Sequence, residues 1–280
     1  ATRVNAQGLV ENVQILSNNL VQNGDFSEEG AEEVSNGSFS QQGSELITNG
    51  NFENGSTGWG FIGAGWTFVG GKATHTGAQS ILGQSNILTI GKSYKITFDL
   101  SGADGSNYLR LLTSQYPNGG NYTSDGTITV YTSTNIDDFF VYAVGDISID
   151  NVSVREVAQD WTLGTGWNIG EDKAISDTTA SNLTPSTVLV SGKTYKFTLD
   201  VAKISVGSFT FLLRFNGSNT VIGTINSEGS FTFYAKADAT GFRLQNLSGG
   251  TTDFSVTNIS VKEVGQNWTL GSFTSIGNNV

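Results

Sequence analysis

Apolar and polar residues alternate strictly in two stretches of the chain, Tyr94-Lys-Ile-Thr-Phe-Asp-Leu100 and Tyr195-Lys-Phe-Thr-Leu-Asp-Val201. A period of two puts one strand face on a core and the other in water, as in an antiparallel sheet packed on one side. The register predicts that Tyr94, Phe98, Tyr195 and Leu199 point inward. Short apolar runs separated by Gly, Asn, Asp and Pro predict further strands near 65–69, 86–90, 107–113, 126–131, 138–144 and 147–156. In the last of these the alternation slips: Ile147 and Ile149 are followed by Val152 and Val154. Phe254 and Val256, then Ile259 and Val261, slip at the same place. A shared slip predicts β-bulges at Asp150–Asn151 and Thr257–Asn258.

The same stretches reveal two repeat systems. GWTFVGGKAT (Gly65–Thr74) matches GWNIGEDKAI (Gly166–Ile175), and Ile87–Leu100 matches Val188–Val201, both offset by 101 residues. Ile147–Gly164 matches Phe254–Gly271 at an offset of 107, and a third copy is entered at Trp268. A smaller system has a period of thirteen: NNLVQNGDFSEEG (Asn18–Gly30), AEEVSNGSFSQQG (Ala31–Gly43) and SELITNGNFENGS (Ser44–Ser56). These share the pattern apolar-x-Asn-Gly-x-Phe and read either as a duplicated spacer or as a short stalk. The third copy is also the first strand of the first large unit, whereas the second large unit lacks the NGNFE opening. Leu9, Val13, Leu16 and Leu20 are spaced as in a coiled-coil seam and suggest a short helix.

The expectation is an all-β chain of tandem antiparallel β-sandwich (jelly-roll) domains behind an N-terminal stalk or linker. Its expected parts are a junction segment 1–19, a thirteen-residue-repeat linker 20–45, sandwiches 46–158 and 159–265, and the start of a truncated third repeat, 266–280.

Composition supports this and removes several chemistries. Charged residues make up 14% of the chain, against roughly 25% in an average soluble protein. Glycine, at 36 residues, and abundant Ser, Thr and Asn fill the difference. Cysteine is absent, which excludes disulfides and thiolate nucleophiles. A single histidine, His75, leaves no His-rich metal site, and a net charge of −11 without a basic cluster argues against nucleic acid. No apolar run is long enough to span a bilayer, so membrane insertion is not expected. Methionine is also absent, the initiator included, so the chain is expected to be processed or part of something longer.

The opening NGNFENGSTGW (Asn49–Trp59), the central GKSYKITFDL and the closing ISIDNVSVREV resemble jelly-roll carbohydrate-binding modules appended to xylanases and related glycanases. Tandem units of this kind are also found in fibre and surface proteins of tailed bacteriophages, and ATRVNAQGLVE resembles a junction segment of phage fibre-like proteins. The resemblance covers 46–157 and, less fully, 161–264. It implies a structural Ca²⁺ in the first domain only, between Glu53 of the opening and Asp150 of the final strand, where oxygen ligands suit that ion. In the second unit Asp150 is replaced by Thr257.

A sugar site needs an aromatic platform beside polar hydrogen-bonding groups. Tyr108, Arg110, Tyr116 and Tyr122 are the candidate cluster, with Arg214, Asn216, Arg243 and Gln245 as weaker counterparts. The recurrence of Trp66, Trp161, Trp167 and Trp268 at fixed repeat positions favours packing instead. For catalysis, Asp137 and Asp138 are adjacent strand residues pointing to opposite faces, and His75 has Ser176 at its matching position, so a non-enzyme is expected.

The leading expectation is a non-catalytic segment of a phage virion surface, fibre or decoration protein, lying on the virion or otherwise extracellular. Its expected partners are a cell-surface glycan, other virion proteins, and two further copies in a homotrimer through the N-terminal segment. Rival readings are a secreted bacterial polysaccharide-binding protein, the non-catalytic tail of a glycanase, or a mechanical spacer.

Overall fold

The computed structural model describes residues 2–4, 6–12, 23, 25, 27–247 and 249–268. No helix occurs among them, and their strand pairings are all antiparallel. They form two β-sandwiches. In the first, one sheet runs in the order Gly126–Ser133, Ser93–Ser101, Ile147–Val157, Ala73–His75, Trp66–Phe68, with Gln42–Glu45 also joined to Ile147–Val157. Its second sheet runs Asn121–Tyr122, Tyr108–Arg110, Phe139–Val144, Ser80–Gln84, Phe61–Ile62. The second sandwich repeats the plan. Gly229–Lys236, Thr194–Lys203, Phe254–Val264, Lys173–Ser176 and Trp167–Gly170 form one sheet, and Trp161–Leu163, Asn182–Pro185, Phe242–Asn246, Phe211–Phe215 and Val221–Ile225 the other.

The alternation places the core as expected. Tyr94, Phe98, Tyr195 and Leu199 are all buried, each between the two sheets of its own sandwich. The two tyrosine hydroxyls serve one repeated purpose, accepting the N–H of Thr89 at 2.7 Å and of Val190 at 3.0 Å. Both bulges are present. Register shifts between Asp150 and Ser153, and opposite Thr198 and Asp200 in the second unit. Asn151 and Asn258 take φ of 49° and 51°, which Asn tolerates better than most residues. Each is locked by its side-chain amide donating to Asp99 or Asp200 at 2.8 Å.

Two local expectations fail. The stretch 86–90 is not a strand; the ladder is made by Ser80–Gln84. The N–H groups of Leu88 and Thr89 go instead to Asp137 O and the Tyr94 hydroxyl, so Leu88 is buried without ladder pairing while Ile90 stays exposed. At the N-terminus, Thr2–Val4 pairs with Val10–Asn12 as a hairpin turning through Gly8, so the first part of the expected helical seam, at Leu9, is not helical. Val13, Leu16 and Leu20 lie outside the described residues.

The thirteen-residue repeats are neither spacer nor stalk where the structure describes them. The third completes the first sandwich: Glu45 pairs with Arg155, Leu46 N–H donates to Val154 O, and Val152 N–H donates to Gly50 O. The Glu45 carboxylate accepts from Val154 N–H and from the Ser153 hydroxyl. The second repeat makes the same contacts with the second sandwich, although the whole first sandwich separates them in sequence. Glu32 pairs with Lys262, Glu33 N–H donates to Val261 O, Ile259 N–H donates to Gly37 O, and the Glu32 carboxylate accepts from Val261 N–H and the Ser260 hydroxyl. Glu29 adds ion pairs to Lys196 at 2.6 Å and Lys262 at 3.1 Å, which hold its carboxyl below the usual range. The opening that the second unit lacks in line is therefore Asn36-Gly37-Ser38-Phe39-Ser40. The second sandwich is thus completed by residues that precede 46.

The Asn-Gly-x-Phe pattern now has a mechanism. A Cβ on Gly37 or Gly50 would collide with the carbonyl of Ile259 or Val152, so only glycine fits at this approach. Asn36 and Asn49 take left-handed φ values of 50° and 55° and cap the following turn through their side-chain oxygens. Phe39 packs on Trp161 and Phe52 on Trp59, each pair 4.9 Å between ring centroids. The two indole N–H groups donate back to Asn36 O and Asn49 O. The bond recurs once more, from Trp268 Nε1 to Asn23 O at 3.0 Å.

This architecture makes a remote effect testable. Phe39→Ala should destabilise the second sandwich by about 3–5 kcal/mol, the usual cost of truncating a buried Phe, and leave the first unchanged. Phe52→Ala should do the reverse. Hydrogen exchange resolved by sandwich checks both, and loss of protection in the first sandwich on Phe39→Ala would contradict the assignment.

Candidate functional site

The five-stranded sheet of the first sandwich buries Leu82, Leu109, Phe139, Val141 and Ala143 and turns the alternate residues outward. Its register lines up Arg110, Tyr142 and Ile81 in one row and Phe140, Gly83 and Phe61 in another, with Tyr108 opposite Val144. The Phe61 and Phe140 rings meet edge to face at 4.6 Å across Gly83. A Cβ at Gly83 would lie 2.5 Å from the Phe140 ring, so the glycine creates this seat. The Arg110 guanidinium lies 5.8 Å from the centre of the Tyr142 ring and donates to Gln79 Oε1 at 2.8 Å. Gln115 approaches the Tyr142 hydroxyl at 3.4 Å. Arg110 Nε and Gln115 Oε1 are buried without a partner, leaving polar capacity beside the aromatic strip.

Of the four residues expected to bind sugar, the structure brings only Tyr108 and Arg110 to this face. Tyr116 is 0% exposed; its hydroxyl donates to Asp138 O and accepts from Phe140 N–H. Burial pushes its phenol well above the usual range. Tyr122 stands opposite inward-pointing Leu109, edge-on to Phe98, and burial pushes it up to about 12. Tyr116 is a core residue, and Tyr122 packs half-buried against the core. Phe140 and Tyr142 were missed because Phe139–Val144 is apolar on both faces and its period carries no in-or-out signal, and Phe61 because its strand, Phe61–Ile62, is too short to show a period.

The second sandwich has a different outer face. Phe211, Leu213, Phe215, Phe242 and Leu244 point inward. Arg214 and Arg243 stand directly opposite each other outside, with Gln245 and Asn216 in contact. The four weaker candidates are thus neighbours, but no aromatic joins them from these two strands.

Glu53 lies exposed on the opening turn, and Asp150 is half-buried at the bulge, its carboxylate accepting Asn151 N–H. The two segments touch through Val152 N–H and Gly50 O. Among the described residues no group of three or more Asp, Glu, His or Cys stands ready for a metal, so further ligands would be backbone carbonyls. His75 is fully buried, with Nδ1 on Gly145 O at 2.7 Å, and one Asp138 oxygen accepts Asn86 N–H. Neither is placed as a reacting group. A cleft of about 590 Å³ between the sandwiches is lined by Asn118, Asn135 and Asn168, and its one aromatic, Trp167, is buried in the core of the second sandwich rather than presented as a platform.

No protein-family model and no curated protein matches the chain. Among solved structures it is similar to the tandem CBM22-1–CBM22-2 domain of Xyn10C from Paenibacillus barcinonensis, at 11% identity over 80% of this chain and 99% of that one, with a TM-score of 0.30. A CBM4 structure matches at 18% identity over 36% and 77%, TM-score 0.29. A candidate secreted protein from Parabacteroides distasonis matches at 9% over 73% and 87%, TM-score 0.22. At these values the fold is read from the sheets themselves.

Proposed function

We propose that the chain is a non-catalytic polysaccharide-binding protein whose first sandwich holds a neutral glycan on the outer face of its five-stranded sheet. The observation that carries this is the strip of Tyr108, Phe61, Phe140 and Tyr142 beside Arg110, Gln79 and Gln115. Aromatic rings accept the apolar faces of pyranoses, the flanking guanidinium donates to the hydroxyls around the ring, and the amides both donate to and accept from them. The setting we propose is a surface or fibre protein of a tailed bacteriophage bound to a host-surface glycan. Its support is the resemblance of the repeats and of the N-terminal segment, together with the absence of cysteine. Trimerisation would then fall to the segment before Glu29, since Glu29–Glu45 is engaged within its own chain.

We propose in addition a Ca²⁺ at Glu53 and Asp150, favoured by the contact of opening turn and bulge. The second sandwich has Ser40 and Thr257 at the matching places and no carboxylate to offer. Calcium at a hundredfold excess over Kd should stabilise the first sandwich by about 2.7 kcal/mol. Unfolding of the first sandwich that is identical in calcium and in chelator removes the ion.

The glycan face has its own test. Phe140→Ala and Tyr142→Ala should each weaken binding to a neutral glycan about tenfold or more, the scale of losing one stacking platform. Tyr122→Phe, a change at a ring packed against the core, should leave binding unchanged. Isothermal titration against the best ligand from a glycan array checks this; full binding by the Phe140→Ala, Tyr142→Ala double variant would overturn it.

A further inference from the structure

We infer that the outer face of the second sandwich binds an anionic group of a polysaccharide, a uronic-acid carboxylate or a sulfate ester, between Arg214 and Arg243. This rests on the reading of the chain as a polysaccharide-binding protein and adds a second site of different chemistry.

The pair is a costly arrangement. Arg214 on Phe211–Phe215 lies directly opposite Arg243 on Phe242–Asn246, and like charges at facing positions destabilise a sheet. The guanidinium of Arg243 is held below its usual value by burial first and by Arg214 second. Among the described residues neither arginine makes an ion pair, although the chain carries 25 carboxylate side chains. Their partners are neutral acceptors. Arg214 donates from Nη1 to Gln245 Oε1 and from Nε and Nη2 to Asn219 O. Arg243 donates from Nη1 to Phe215 O and Asn216 Oδ1, and from Nη2 to Asn219 Oδ1. Asn219 clamps both. The carboxylate tied to this loop, Asp238, is taken up by the Ser218 and Thr220 hydroxyls.

Neutral acceptors fix the two guanidiniums in place without cancelling their charge. Each spends three of its five N–H groups in these bonds and keeps two. An oxyanion between them would take charge-assisted hydrogen bonds and relieve the repulsion at once. A neutral sugar would relieve none of it.

The test uses the unmodified chain in NMR titrations with oligogalacturonate, with chondroitin sulfate oligosaccharide, and with neutral xylo-oligosaccharide. The Nε–H signals of Arg214 and Arg243 should shift with at least one anionic probe and not with the neutral one, and added salt should weaken the binding. The two anionic arms separate carboxylate from sulfate. Arg243→Gln should weaken that binding about tenfold or more. If this variant unfolds the second sandwich, Arg214→Lys, which keeps the charge but loses the fork, should still weaken it. Absence of binding, binding that ignores salt, or shifts confined to Phe140 and Tyr142 would overturn the inference. Neutral-glycan binding at the first sandwich is read separately, at Phe140 and Tyr142, so either site can fail without the other.

Discussion

In each sandwich a bulged strand meets an Asn-Gly turn so closely that the carbonyl of Val152 or Ile259 leaves no room for a side chain on the turn. The rest of the opening follows from that approach. The asparagine supplies the left-handed step, the phenylalanine two positions after the glycine enters the core, and a tryptophan indole ties the turn to the sheet opposite. The glutamate four positions before the asparagine meets backbone and hydroxyl donors on the bulged strand. Bulge, turn and tryptophan form one device, used twice.

The order of use is reversed along the chain. Trp59 meets Asn49, Trp161 meets Asn36, and Trp268 meets Asn23. Successive tryptophans reach back to successively earlier repeats, so the first sandwich is nested in sequence between the opening and the body of the second. Such nesting adds long-range contacts, and closing them costs entropy that grows only slowly with loop length. A folded first sandwich would shorten the effective span, since Gln42–Glu45 and Val157 lie side by side. The repeats therefore bind modules to one another's sequence neighbours rather than holding them apart.

The two sandwiches share a frame and differ on one face. Where the first carries Phe61, Phe140 and Tyr142 around a single arginine, the second carries facing arginines held by amides and carbonyls. The inward positions can be alike because both cores need the same filling. The outward ones are released from packing and can diverge, which is where different ligands would be expressed.

The sequence by itself determined the elements whose two faces differ. Tyr94–Leu100 and Tyr195–Val201 have one wet face, so period, register and core assignment follow from residue type alone, and a shared slip in that period was enough to locate both bulges. It could not assign Phe139–Val144, apolar on both faces, nor distinguish Tyr108 from Tyr122, because an amphipathic ring suits core and surface alike. Only the tertiary structure decided which tyrosines face outward and which pack into or against the core. It also decided what the thirteen-residue repeats are for. Each carries the chemistry of an opening strand, but pairing is a property of two segments, and the partner of Ala31–Gly43 lies more than two hundred residues further on, at Phe254–Val264. Periodicity is local and reports a strand; which edge the strand completes is settled by the bulge, the glycine and the indole that meet it in space.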